Sequence, residues 1–472
     1  MTHTRLISLI VAVALFMENM DSTVIATALP AIAADIGTNP LALKLAITSY
    51  LLSLAIFIPA SGWVADRFGT RTVFRAAIAI FVLGSIGCAL SGSLTDIVMA
   101  RMVQGIGGAM MTPVGRLILL RSIDRRDLLS AMAWVTMPAL VGPMVGPPVG
   151  GFITTYFSWH WIFLINVPIG MIGIILATFY IDNVKAEKQE RFDFVGMALA
   201  GLGLGGVAFG LSVAGLDLLP LPPVLMLTAL GVLFLYFYVR HAKRTPAPVL
   251  DLGLLSIPSF RATLTGGFLF RLGIGAWPFL MPLMLQLGLG MNPFQSGLIT
   301  FAGSFGALLM KPAIAPLLHT FGFKNLLVPN AILSSVLLAA CAIFTETTSV
   351  TLMFLILTVA GFFRSLQFTA VNTLAYADVP TKRMSQATSV VSVLQQLSIS
   401  CGVAVGALAV EVTNRFNNSA ALTVDDFRPA FILVGLISAS SVFIFMRLDK
   451  DVGAEMANRK PRSAVTPDDR IN

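Results

Sequence analysis

Two carboxylates, Glu18 and Asp21, stand three residues apart in an apolar run near the start of the chain. On a helix this spacing puts both on one face, about 5–6 Å from each other. Both fall near the middle of the run, where water is scarce and their charges repel. Such a pair can hold or release one proton as its surroundings open and close. Arg101 lies about two turns into another apolar run, a setting in which arginine is costly and usually paired. Two chemistries follow from the same three residues. Either the carboxylates form a proton site tuned by Arg101, or Arg101 locks two helices together as a static ion pair.

A second set of charges has no obvious partner. Arg271, Lys311 and Arg364 lie inside apolar runs and Arg116 near the end of one, whereas the acidic residues there are Glu18, Asp21 and the boundary residue Glu411. Lys311 and Arg116 can snorkel to the surface. Arg271 and Arg364 are too central for that. They either bond backbone carbonyls and water or face an anionic or zwitterionic ligand, and with Trp277 they are the expected lining of a substrate cavity. Trp277 opens the string WPFLMP, whose two prolines predict a distorted helix.

Enzyme chemistry finds little support. The four histidines, His3, His160, His241 and His319, are dispersed, and neither HExxH nor GxSxG occurs. No cofactor or metal is expected. The run G201-L-G-L-G-G206 has dinucleotide-binding spacing but follows no strand, so it reads as close helix packing through small residues. Cys88, Cys341 and Cys401 lie within apolar runs and are expected to pack as small apolar groups rather than to form disulfides.

The elements that position these residues are set by composition. Hydrophobic residues make up 56% of the 472 and charged residues 11%, against roughly 25% charged in an average soluble protein. Fourteen apolar runs are expected to span a bilayer, at 6–30, 44–63, 73–93, 97–119, 130–154, 160–181, 194–214, 222–240, 260–288, 295–318, 325–345, 350–375, 386–410 and 429–447. They are too long and too continuously apolar for barrel strands. The expected fold is an all-α polytopic membrane protein.

Basic residues set the orientation. Arg67, Arg71, Arg75, Arg121, Arg125, Arg126, Lys185, Lys188, Arg191, Arg240, Lys243, Arg244, Lys382 and Arg383 fall in alternate loops, and only Lys44, Arg415 and Arg428 in the others. This bias predicts cytoplasmic termini and accounts for the net charge of +8 without a nucleic-acid partner. The charged stretch 182–193 and the proline-bearing stretch 241–259 divide the spans into six, two and six. The expected domains are a bundle over 1–185, a linker with two additional helices over 186–250, a second bundle over 251–448, and a disordered tail over 449–472. The first run carries Glu18 and Asp21 and is not expected to be a cleaved signal.

Three strings stand out at helix ends and kinks. G62-W-V-A-D-R-F-G-T-R71 supplies Gly62 and Gly69 for a tight turn, with Asp66, Arg67 and Arg71 as opposite charges at facing helix ends. R101-M-V-Q-G-I-G-G-A109 opens the fourth span. G142-P-M-V-G-P-P-V-G-G151, with Gly142, Gly146, Pro147, Gly150 and Gly151, allows a bend and close approach in the fifth.

Together these strings resemble the motifs of the major facilitator superfamily, the third its antiporter motif. M20-D-S-T-V-I-A-T-A-L-P30 resembles the first-span motif of the fourteen-helix drug:proton antiporter branch, although Ala26 replaces the asparagine usual there. The second half has only a worn copy of the loop motif, F321-G-F-K324, without its acidic residue. The resemblance implies two six-helix bundles plus two additional helices, the loop residues and Arg116 as a conformational motif, and Asp21, Glu18 and Arg101 as the proton-coupling group. It implies a monomeric proton-coupled exporter of small amphipathic molecules in a bacterial inner membrane. Its partners are then a small-molecule substrate, protons and the lipid bilayer. The alternative, from Arg271 and Arg364, is an exporter or flippase-like transporter of an endogenous anionic or zwitterionic metabolite or lipid.

Overall fold

The computed structural model describes residues 3–123, 128–186, 191–216, 220–417 and 421–457, and no strand occurs among them. A backbone amide in hydrocarbon has no water to bond, so an apolar run satisfies itself only by coiling. Thirteen helices among the described residues are long and apolar enough to cross a membrane. They are α1 (Arg5–Thr27), α2 (Pro40–Phe68), α3 (Thr70–Ala89) and α4 (Leu94–Ser122), then, after α5 (Leu128–Tyr156), α6 (Trp161–Tyr180), α7 (Phe194–Val213), α8 (Leu221–Ala242) and α9 (Pro258–Gly288). The remainder are α10 (Pro293–Phe321), α11 (Phe323–Ile343), α12 (Val350–Leu374), α13 (Met384–Asn417) and α14 (Val424–Phe445). With α5 the fourteen helices coincide with the fourteen expected runs, and the chain is a multi-pass membrane protein.

Short polar punctuation ends the helices. Ser93 accepts from the Asp96 amide at 3.2 Å to cap α4, and Asn292 with Gln295 closes a capping box ahead of α10. The α2–α3 turn requires Gly69, whose φ is 95°, a conformation that other residues rarely adopt. Gly322 joins α10 to α11 with a φ of 74°. The worn second-half motif has thus lost its acidic residue and kept its turn, which makes visible the relation between the halves.

In the first half α1 packs on α5 and α3 on α4; in the second α10 packs on α12 and α14 on both α9 and α11. The two bundles meet through α5 against α10 and α2 against α13. Helices α7 and α8 pair with each other, α7 also touching α2 and α13. In α8 only 17% of the apolar window is buried, against 78% in α2, so the additional pair lies at the periphery. The 201–206 glycines serve that pairing: a Cβ on Gly206 would come within 2.8 Å of the Gly231 Cα.

Two expectations change. Lys44, expected in a loop, is completely buried, because α2 starts at Pro40 and carries it inside, with its Nζ 3.5 Å from the Ala214 carbonyl oxygen. Residues 449–457, expected to begin a disordered tail, form turns whose Val452 and Ala457 join the apolar cluster around Phe323 and Leu374. Residues 458–472, Arg125, Arg126 and Lys188 lie outside the described residues.

Candidate functional site

Asp21 is the centre of a polar network sealed inside the first bundle. One carboxylate oxygen, Oδ2, lies 2.6 Å from Arg101 Nη1. The other, Oδ1, accepts from Gln104 Nε2 at 2.9 Å and from Asn166 Nδ2 at 2.7 Å. The two amides also donate to Ser85 Oγ, at 2.8 and 3.2 Å. Arg101 donates further to Gln104 Oε1 at 2.5 Å and, through Nε, to the Ala46 carbonyl at 3.2 Å. Its guanidinium lies over the Tyr50 ring, 4.3 Å from the centroid. Five helices thus converge on one carboxylate: α1 supplies Asp21, α2 Tyr50 and the Ala46 carbonyl, α3 Ser85, α4 Arg101 and Gln104, and α6 Asn166. Asp21, Ser85, Arg101, Gln104 and Asn166 are all fully buried.

The Asp21–Arg101 pairing was legible from charge alone. Ser85 and Asn166 were not, since a lone polar residue in an apolar run has no spacing to announce it. Gln104 had a weaker signal: it follows Arg101 by three residues and so shares its helix face.

Glu18 stands one turn from Asp21 but in a different environment. It is only partly buried, and its Oε2 accepts from Thr112 Oγ1 of α4 at 2.8 Å. Among the described residues no cation lies within ion-pair distance of it, and no hydrogen bond joins it to Asp21. The two carboxylates therefore have separate partners, the buried guanidinium of Arg101 for Asp21 and the partly buried hydroxyl of Thr112 for Glu18. Arg116, one turn beyond Thr112, is exposed.

The loop motif is tied down from two directions. Asp66 pairs with Arg121 at the far end of α4, 2.6 Å away, rather than with its sequence neighbours Arg67 or Arg71. Arg67 is exposed and lies over Trp63, 5.5 Å from the ring centroid. Arg71 donates to the carbonyls of Thr178 and Ile181 at the end of α6, at 3.5 and 3.4 Å. The segment after α6 then lies across the turn: the Thr70 amide donates to the Val184 carbonyl and the Ala186 amide to the Asp66 carbonyl. A Cβ on Gly69 would strike the Asn183 side chain, so that glycine is needed for space as well as for φ. Gly62 is exposed, with open space beside it.

The glycines of α5 face two different helices. Cβ atoms on Gly142, Gly146 and Gly150 would meet the Phe16 carbonyl, the Thr23 hydroxyl and the Val24 carbonyl of α1. On Gly151 a Cβ would instead meet the Pro293 carbonyl at the start of α10. Pro147 lies between these contacts, its carbonyl approached by Thr27 Oγ1 at 3.5 Å and by Gly297 of α10. Close approach was expected here, while the partner helices were not. The Phe294 amide donates to Thr155 Oγ1 at 3.0 Å and Gln286 Nε2 to the Thr27 carbonyl at 3.0 Å. These contacts join the bundles on the side opposite the chain ends.

In the second bundle Arg271 is buried and its Nη2 donates to Asn372 Oδ1 at 2.7 Å. Its guanidinium lies 5.4 Å from the Phe368 ring centroid. Arg364 lies over Trp277 instead, 4.5 Å from its centroid, and both line a small cavity between α9, α11 and α12. The structure therefore separates the three expected cavity residues into two settings. Trp277 starts a helical segment that runs into a single wide turn at Met284–Gly288, the distortion its prolines predicted. Lys311 donates to Thr369 Oγ1 at 3.3 Å.

Comparison with known proteins bears on what this architecture is. The family model of the Major Facilitator Superfamily matches residues 11–262 and 263–467. A Yersinia enterocolitica protein named "Putative multidrug resistance protein MdtD" is 38% identical over 457 residues, which cover 96% of this chain and 97% of that protein. Its Escherichia coli namesake is 37% identical over 463 residues, with the same coverage. Among solved structures, a D-xylose-proton symporter superposes with a TM-score of 0.66 at 14% identity, covering 95% of this chain and 98% of that one. A peptide transporter solved with sulfate gives a TM-score of 0.69 at 14% identity, covering 95% of each chain. These two share the fold. Twelve helices in two bundles with a further pair at the periphery, a sealed ion pair in one bundle, and family and relatives matched over almost the whole length have one reading: the chain belongs to the Major Facilitator Superfamily and is a membrane transporter, not an enzyme.

Proposed function

We propose that this transporter is a proton-coupled exporter of small amphipathic molecules that works by alternating access. The observation that carries the reading is the contrast between Asp21, sealed against Arg101, and Glu18, partly buried one turn away and bonded to a neutral hydroxyl. A proton that reaches Asp21 through Glu18 leaves Arg101 without its counter-charge. The buried network then reopens, and the five helices it joins shift against one another. The names of the MdtD relatives support a drug-efflux substrate range.

In this reading residues 1–185 and 251–448 are the two rocking bundles, α7 and α8 in the 186–250 linker ride outside them, and the tail continues from 449. The membrane is the bacterial inner membrane with both termini cytoplasmic, and the working unit is a monomer. A cysteine placed at Lys188 should then resist membrane-impermeant thiol reagents in whole cells, while one in the loop after Pro30 should react. The opposite pattern would sink the orientation.

A second reading, that the substrate is anionic or zwitterionic, has its own support in Arg271 and Arg364, which lie in helices that contain no Asp or Glu at all. One assay separates the readings. Inverted vesicles should take up substrate only while a proton gradient stands, over a panel of lipophilic cations, anions and lysolipids. Uptake unaffected by a protonophore would overturn proton coupling, and the members of the panel that move decide the charge class.

A further inference from the structure

The two bundles treat the arginines inside their helices differently. In the first, Arg101 is neutralised by Asp21. In the second, α9, α10, α11 and α12 hold Arg261, Arg271, Lys311, Lys324 and Arg364 without a single Asp or Glu. Arg364 has no ion-pair partner among the described residues. It is positioned by Trp277, whose ring face it covers at 4.5 Å from the centroid. It is positioned also by Gly303 of α10, where a Cβ would come within 3.3 Å of Arg364 Nη2 and 3.1 Å of the Trp277 ring. An aromatic face attracts a cation but does not neutralise it.

The same cavity contains a second unanswered group. Ser334 of α11 is 4% exposed, lines the space with Arg364, and its Oγ has no hydrogen-bond partner. Ile274, Leu338, Cys341 and Ala360 close the remaining walls. A hydroxyl donor and a guanidinium therefore face one apolar void of about 20 Å³. That is room for one compact occupant. A buried hydroxyl without a partner is costly, and a cation partly withdrawn from water gains from a counter-ion. One occupant that accepts hydrogen bonds and carries a negative charge resolves both.

We infer that this cavity between α9, α11 and α12 binds one compact monovalent anion, held by Arg364 and Ser334 against the Trp277 ring. The chemistry is common to a halide ion and to the carboxylate head of a larger molecule. The site is separate from the Asp21 network and does not depend on proton coupling, so it is tested by binding alone.

The test uses the full chain in lipid nanodiscs, with Trp63, Trp134, Trp159 and Trp161 replaced by Phe so that emission comes from Trp277. Sodium iodide is titrated at constant ionic strength, and a folded state is confirmed for each variant by its thermal transition. The expected result is saturable quenching that chloride displaces and Arg364→Gln abolishes. Ser334→Ala removes one hydrogen bond to a charged group and should weaken iodide binding about tenfold. It also serves where Arg364→Gln fails to fold. Displacement of iodide by acetate as well as chloride assigns the site to carboxylate heads; displacement by chloride alone assigns it to an inorganic ion. Quenching that never saturates, or iodide affinity unchanged in Ser334→Ala, overturns the proposal.

Discussion

Arg101 and Asp21 lie 80 positions apart in the chain, yet their side chains meet at 2.6 Å with essentially no contact with solvent. Removing one partner from a buried pair of this kind typically costs about 3–5 kcal/mol, because the other charge is left without compensation. A proton arriving at Asp21 has the same electrostatic effect as removing the carboxylate. The pair is therefore a stable joint between α1 and α4 in one protonation state and a strained one in the other.

Asp21→Asn keeps the size of the side chain and much of its bonding to Gln104 and Asn166 while deleting the charge that Arg101 needs. Proton-driven transport should disappear, and the thermal transition of the purified protein should fall. Substrate binding should persist with much less dependence on pH. The double variant Asp21→Asn with Arg101→Gln should recover part of the lost stability, since no charge is stranded, without regaining drive. Uphill transport at a normal rate by Asp21→Asn would move the coupling role elsewhere.

Glu18→Gln should behave differently for a structural reason. Glu18 has a neutral partner, Thr112, at 2.8 Å, and no buried cation depends on it, so the fold should be unaffected. As the carboxyl one turn from Asp21 on the same helix, it should influence how protons reach Asp21. The variant should retain transport at a reduced rate and with a flattened pH profile. A loss as complete as that of Asp21→Asn would make Glu18 the main coupling carboxylate.

What could be read in the sequence follows from what leaves a mark in one dimension. Apolar runs are long, so their number was plain and their limits were legible to within several residues. Glu18, Asp21 and Arg101 are conspicuous because charge in such runs is rare. Asn166 and Ser85, which bond the same carboxylate and its amides, are single polar residues among apolar ones and carry no comparable mark. Asp66 shows a further limit. Arg67 and Arg71 are its neighbours in sequence, but its carboxylate pairs across the turn with Arg121, 55 positions away. Lys44 misled because charge near a run's edge reads as a loop, whereas α2 begins four residues earlier, at Pro40.

The Asp66–Arg121 pair leads to a third prediction. Both side chains are partly exposed, at 37% and 25%, so the pair should contribute no more than about 1 kcal/mol to stability. Its effect should appear in transport instead, because it ties the α2–α3 turn to the end of α4. Asp66→Asn and Arg121→Gln should each slow transport by a similar factor, and the double variant should be no slower than either. Independent, multiplying defects would show that the two act through different contacts.

The α5 glycines allow the sharpest ordering, because each neighbour differs in its capacity to move. At Gly142 a Cβ would approach the Phe16 carbonyl at 3.0 Å, a fit that a shift of a few tenths of an ångström relieves. At Gly146 the obstacle is the Thr23 hydroxyl, the end of a side chain that can rotate away. At Gly150 it is the Val24 carbonyl, which is backbone and cannot leave without moving α1. Alanine should therefore be tolerated at 142 and 146 and should impair transport severely at 150. Leucine at Gly146 exceeds what rotation of Thr23 can accommodate and should abolish transport, while the protein still inserts and elutes as a folded species. Since α1 carries Asp21 and Glu18, a wedge at 150 should also disturb the pH dependence of substrate binding, and one at 142 should not. Equal transport by Gly142→Ala and Gly150→Ala would mean that this face of α5 is ordinary packing, with no part in how α1 moves.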